Sequence, residues 1–380
     1  MKKLAIFMMA ACLAAGFSSC EDDNNNVAAT ETLSGFYTIN GGNKSAKIPA
    51  SITAYDYATG ASTDVLDDAF FAANNIAIGD GAQQALVYGS KMYIAMYTSN
   101  LIWVVEPETL KILGSIKPDG DAQSPRYLAA KNGKVYATMY TGYVSEIDTT
   151  TFKIERSVKV GPNPDQLAVS GNTLVVANSD GMNSMAGYPN SSVSVVDLAS
   201  FTQTEIKCDK IYNPTDVSSN GVDAFVVNKG NYDVPGEEGY IPSTVVKITG
   251  STEDNVNYVC DGTMIDVCGN DLYVIDAPYY GKPENRTFKV YDVNTFAEKG
   301  NIAKQVKGEK SEILWPNGVF VDPVSNDIVM ISYYLGDNGK ALTKEPAYAN
   351  VYDKAGNFKT RVECGIGARS VTFVHEKVAK

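Results

Sequence analysis

The side chains able to do chemistry are sparse in one respect and abundant in another. The chain has a single histidine, His375, close to its end. Acyl transfer by a Ser-His-Asp or Cys-His arrangement needs a base beside its nucleophile, and one terminal histidine does not provide it. Asp165 and Asp216 could act as an acid and base pair, but Arg126 or Arg369 is expected to balance their charge, so no catalytic residue is assigned. Cys208, Cys260, Cys268 and Cys364 show neither a CxxC pair nor a spacing with histidine that suits a metal. A bridge between Cys208 and Cys260 stays open for an oxidising compartment. Asp180-Gly181 and Asp337-Asn338-Gly339 lack the regular acidic spacing of a calcium loop. No metal and no cofactor are therefore expected.

Tyrosine with asparagine is what abounds: 23 tyrosines against two tryptophans, Trp103 and Trp315. Tyr188, Tyr232, Tyr240, Tyr279, Tyr280, Tyr333, Tyr334 and Tyr348 crowd into residues 179–191, 229–242, 277–286 and 333–348, among Asn183, Asn190, Asn231, Asn285 and Asn338. Tyrosine offers a large stiff plane with a polar tip, and asparagine both donates and accepts. That mixture suits a broad flat ligand with a polar rim. A second set, Gln84, Arg126, Asp165, Thr215, Ile265, Asn317 and Arg369, aligns around a common centre, with Tyr97, Tyr140, Asn178, Asn228 and Asp276 beside it. Polar residues converging in this way are the expected binding site.

The elements that must position these side chains come from a repeat. Its clearest copy runs from Asn163-Pro164-Asp165-Gln166-Leu167-Ala168-Val169 through Ser170-Gly171-Asn172 to Leu174-Val175-Val176-Ala177-Asn178, then Val193-Ser194-Val195-Val196-Asp197. The residue closing the third strand of each copy recurs as Asp56, Glu106, Asp148, Asp197, Thr249, Asp292 and Asp353, at intervals of 50, 42, 49, 52, 43 and 61 residues. Periods of this length, with alternating short strands, describe the blades of a propeller. The expected fold is all-β: a seven-bladed β-propeller spanning residues 33–380. Its last strand, Ala368 to Val374, pairs with the strands near Phe36 to Ile39 and Ser51 to Tyr57 to close the ring. The tight turns, such as Lys131-Asn132-Gly133 and Cys268-Gly269-Asn270, then lie on one face, and the long Tyr/Asn loops of four consecutive blades on the other.

The pattern Pro-x-x-Leu, Gly-Asn-x-Leu-x-Val, Val-x-Val-Val-Asp resembles the YncE-like propellers of bacterial envelopes. Among lipid-anchored members in Bacteroidetes it is similar to the surface cobalamin-capturing (BtuG-type) group. The resemblance implies capture of cobalamin or a related corrinoid as bound ligand, and its transfer to an outer-membrane TonB-dependent transporter. A glycan-binding or protein-docking propeller is the alternative.

The amino terminus agrees with export. Lys2 and Lys3 precede an apolar run, Leu4 to Ala15, and Phe17-Ser18-Ser19-Cys20 follows. This reads as a lipoprotein signal over 1–19, too short to span a membrane permanently, with Cys20 as the lipidated residue. Residues 20–32, opening Glu21-Asp22-Asp23-Asn24-Asn25-Asn26, read as a flexible acidic tether resembling a surface-export signal. The formal charge of −12 becomes −14 once Lys2 and Lys3 are removed with the signal. Such acidity disfavours nucleic acid as a partner. The expected location is the outer membrane, facing the cell surface.

Overall fold

One middle strand explains why the repeat folds as it does. In Asp271–Asp276, Leu272 and Val274 pack into the core shared with the preceding blade, while Tyr273 and Ile275 pack into the core shared with the next. A strand sandwiched between two blades buries both faces, so apolar residues occupy both phases of its two-residue period. The computed structural model describes residues 30–378, and among these the pattern recurs around a closed ring. Seven hydrophobic clusters result, one at each interface between neighbouring blades.

Blade 1 consists of Ala368–Val378, Thr30–Asn40 and Ser51–Asp56. The other six are four-stranded antiparallel sheets whose inner strands are Ala82–Tyr88, Pro125–Lys131, Pro164–Ser170, Pro214–Ser219, Met264–Cys268 and Trp315–Val321, in blades 2 to 7. Each inner strand contacts the next, and Ala368–Val378 contacts both Trp315–Val321 and Ala82–Tyr88. The ring is thus closed by strands from the two ends of the chain, and the expected seven-bladed architecture is observed. Blade 1 lacks a full outer strand. There the single bridge Tyr55–Ser62 stands in, the Thr63 hydroxyl accepts from the Ala54 N–H at 3.0 Å, and Asp68 accepts from the Ile52 N–H at 2.9 Å. A short helix, Ala69–Asn74, buries Phe70 beside them, so the strand edge is covered.

The recurring aspartate has a local cause. Asp148 Oδ1 accepts from Thr150 and Thr151 N–H at 3.0 and 2.8 Å. Asp197 and Asp292 repeat the arrangement. Each side chain organises the turn into the outer strand, an Asx turn. Phe152, Phe201 and Phe296 follow in the left-handed region at φ of 56°, 55° and 58°.

The amino-terminal boundary falls earlier than expected. Thr30, Glu31 and Thr32 pair with Val378, Lys377 and Glu376 and belong to blade 1. The signal segment, Cys20 and the rest of the proposed tether lie outside the described residues. Cys208, Cys260, Cys268 and Cys364 are free thiols.

Candidate functional site

The inner strands surround a channel of about 730 Å³, a volume typical of small-molecule sites. Its geometry follows from strand pairing. Ala82, Pro125, Pro164, Pro214, Pro316 and Ala368 stand opposite Met96, Met139, Asn178, Asn228, Ser332 and Asn40. The residues after these are Gln83, Arg126, Asp165, Thr215, Asn317 and Arg369; Asn317 and Arg369 line the channel, joined by Gln84, Gln166, Asp216 and Met264 from the same set of strands. Of the seven expected residues, Gln84, Ile265, Asn317 and Arg369 line the channel. One residue before Gln84, Gln83 accepts from Arg126 and Arg369. Ile265 packs into the core between blades 5 and 6. Gln84 also lines the channel, but its side-chain oxygen accepts from the Leu128 N–H at 2.7 Å and ties blade 2 to blade 3.

A matching offset corrects the second strands. Tyr97, Tyr140 and Lys229 each follow the last residue of a second strand, and Tyr333 holds the same position in blade 7 at its strand's end. Asn178, Asn228 and Asp276 stand one residue earlier, and in a strand one residue reverses the face. Asn178 is fully buried, donating to the hydroxyls of Ser192 and Ser194 at 3.1 and 2.9 Å. Asn228 donates to Thr244 Oγ1 and to the Lys210 carbonyl. Both are staples within their blades rather than groups open to a ligand. Asp276 lies away from the channel near Asp261; burial first, then the Asp261 charge, pushes its carboxyl up to about 6. Tyr334 also turns outward, donating to Glu363 at 2.7 Å and stacking near Tyr348. Lys229 is the residue that sequence reasoning missed. Its ammonium is 3.6 Å from Asp216, and it lines both the channel and a side cleft.

At the mouth the structure brings Arg126, Tyr97, Tyr140 and Asp165 together. The Arg126 guanidinium is 3.1 Å from Asp165 Oδ2 and sits 4.9 and 5.8 Å from the ring centres of Tyr140 and Tyr97. Those two rings meet edge to face at 5.3 Å. Stacked aromatic faces hold a guanidinium well because it is planar and weakly hydrated. Burial raises the Asp165 carboxyl above the ordinary range despite Arg126. Asp165 and Asp216 each have their own cation, Arg126 and Lys229. Across the mouth, Arg369 donates to Gln83 Oε1 at 2.9 Å, and Asn317 donates to the Ala368 carbonyl and the Tyr333 hydroxyl.

The loops expected to be long are long, over blades 4 to 7, whereas residues 97–100 and 140–142 of blades 2 and 3 are tight. In the blade 4 loop, Asp180 is wholly buried, accepting from Asn183 Nδ2 and the Asn190 N–H. It shapes the loop. Blades 5 to 7 hold the side cleft, about 190 Å³, lined by Tyr232, Tyr240, Tyr279 and Trp315 and sharing Lys229, Met264 and Asn317 with the channel. Tyr279 meets Trp315 at 5.8 Å and Tyr280 at 4.9 Å between ring centres, both edge to face. Tyr279 and Tyr280 are more than half exposed.

The fold and this opening define a seven-bladed β-propeller with a charged, tyrosine-walled channel mouth. Among solved structures the chain is similar to hydrazine synthase of Kuenenia stuttgartiensis, at 14% identity and a TM-score of 0.53, over 77% of this chain and 93% of that one. It is likewise similar to the computationally designed Ika8 protein, at 13% identity and a TM-score of 0.51, over 85% of each chain. Likeness at this level concerns the fold, which hosts many functions. No family model and no curated protein matches the sequence.

Proposed function

We propose that this protein is a ligand-capture lipoprotein of the outer membrane, anchored through Cys20 and exposed at the cell surface. Its ligand is cobalamin or a related corrinoid, which it passes to a TonB-dependent transporter; it is not an enzyme. The observation that carries this reading is the joined channel mouth and side cleft. Tyr232, Tyr279 and Tyr333 supply flat walls there, and Lys229, Asn317 and Arg369 supply polar contacts, with Arg126 held between Tyr97 and Tyr140 beside Gln83. A corrin disc edged with amides would lie over the mouth, with its edge groups reaching these polar side chains. The likeness of the repeat motif to YncE-like envelope propellers supports the same choice.

The test is calorimetric titration of the chain from residue 21 with cyanocobalamin, with cobinamide and oligosaccharides in parallel. One-to-one corrinoid binding is expected, weakened by about tenfold or more in the Tyr279→Ala, Tyr280→Ala double variant, an aromatic hot-spot loss of ~1.4 kcal/mol or more. Absence of heat with every corrinoid would overturn it. Trp315, half-buried at the cleft edge with Tyr279 against it, favours glycans as the second reading, and heat with an oligosaccharide alone would select that one.

A further inference from the structure

The two arginines at the mouth are unequally balanced. Arg126 has Asp165 as its counter-ion. Arg369 has no carboxylate within ion-pair distance among the described residues, and its hydrogen bond goes to the neutral Gln83 Oε1, at 2.9 Å. Arg126 Nη2 approaches that same oxygen at 3.4 Å. Two guanidiniums of like charge therefore converge on a single amide oxygen. The Nε atoms of both are buried without a partner. A guanidinium has five donors, and Arg369 uses one of them on protein. Gly41 packs against this side chain, where a Cβ would fall 2.7 Å from Arg369 Nε.

We propose that Arg369, with Arg126 across Gln83, is a receptor for an anionic oxygen of the ligand, a carboxylate or a phosphodiester, at the channel mouth. The Gln83 carbonyl stands where such an oxygen would be bound. An anion arriving there exchanges a neutral acceptor for a charged one, and charge-assisted bonds to guanidinium are about twice as strong as neutral ones. Tyr333, which also lines the channel beside Arg369, gives the anion a partly dry wall. This subsite deepens the capture reading by naming the charge its ligand carries, and it rests on that reading for its biological use.

The experiment follows the arginine side-chain Nε–H resonances of the chain from residue 21 while dimethyl phosphate or acetate is added, with ethylammonium as control. Saturable shifts are expected with either anion and none with ethylammonium. Affinity should fall by about tenfold or more in Arg369→Gln, as expected for loss of a charge-assisted contact. Gln83→Glu supplies a second readout that does not depend on affinity. It places a permanent carboxylate between the guanidiniums, and should abolish anion binding while raising the melting temperature. Shifts that persist unchanged in Arg369→Gln, or no shifts at all, overturn the subsite, as does a Gln83→Glu variant that still binds anions. The phosphodiester and carboxylate arms identify which group is preferred. Corrinoid heat without any anion response would sink the subsite and leave capture intact. An anion response through Arg369 without corrinoid heat would do the reverse.

Discussion

At the scale of single residues, the decisive quantity is a phase of one position. Asn178, Asn228 and Asp276 were legible as polar residues at strand ends, as were Tyr97 and Tyr140. The first three end their strands, whereas the two tyrosines stand one residue beyond. Sequence alone aligns repeats through similar letters, and a bulge after Ala82 or Pro125 shifts the pairing without any change of letter. Lys229 was hidden for the same reason. Asp276 offers a test at this scale. It has no hydrogen-bond partner among the described residues, and burial with Asp261 raises it to about 6. A carboxyl whose folded value exceeds its unfolded one, about 3.9, favours folding while protonated. That contribution is present at low pH and disappears as pH rises through about 6. Asp276→Asn is expected to stabilise the protein by ~1 kcal/mol at pH 8, after allowance for solvent screening, with little effect at pH 4. Thermal melts at the two pH values check it, and equal shifts at both would refute the electrostatic cause.

At the scale of elements, inner strands are stitched to one another by side chains whose cross-blade role sequence patterns did not reveal. Gln84 bonds Leu128 across blades 2 and 3, Gln166 bonds Val217 across blades 4 and 5, and Thr372 donates to the Ala85 carbonyl across blades 1 and 2. Asp266 does so twice, accepting from the Ser218 hydroxyl at 2.8 Å and from the Val321 N–H at 2.7 Å. It thereby couples blades 5, 6 and 7. Such contacts join residues 44 to 55 positions apart, or 287 where the two ends of the chain meet, and no local spacing announces them. The recurring aspartates, by contrast, were legible as strand-closing letters, and their Asx turns are local to them. Asp266→Ala leaves the Ser218 hydroxyl and Val321 N–H without an acceptor, and is expected to cost about 2–3 kcal/mol. Asp266→Asn, which retains one acceptor oxygen, should cost about half as much. Urea unfolding followed by tyrosine fluorescence measures both, and equal losses would mean that shape rather than hydrogen bonding matters there.

At the scale of the whole molecule, the ring was legible because it is a sum of repeats, each unable to bury its faces alone. Closure was legible too, since Ala368 to Val374 reads as a first strand with no blade after it. The latch that secures this closure was not. His375, the residue whose solitude argued against catalysis, bonds Asp322 at 2.6 Å and fastens the last strand to blade 7. Asp322 is fully enclosed. Burial alone would raise its carboxyl, yet bonds from His375 and Ser325 hold it below the ordinary range. A depressed carboxyl contributes stability above its unfolded value, about 3.9, and loses it as pH falls through the folded value. His375→Ala is expected to cost ~1–3 kcal/mol at pH 7, by leaving a buried carboxylate short of a partner. The difference from the parent should shrink toward pH 3. Denaturation curves across that interval provide the check, and a pH-independent difference would rule out the latch as the cause.

The pairing of Thr30 with Val378 has a consequence for posture. The strand Thr30–Asn40 runs from the tight-turn face to the loop face, a climb of roughly 35 Å at strand rise. Thr30 therefore stands on the underside of the disc, on the opposite face from Arg126, Arg369 and the tyrosine cleft. If the proposed anchoring through Cys20 holds, the molecule would stand like a goblet on its stem, with the bowl turned from the membrane. The rim is lower over blades 2 and 3 than over blades 4 to 7, which leaves the bowl's open side at Tyr97 and Tyr140.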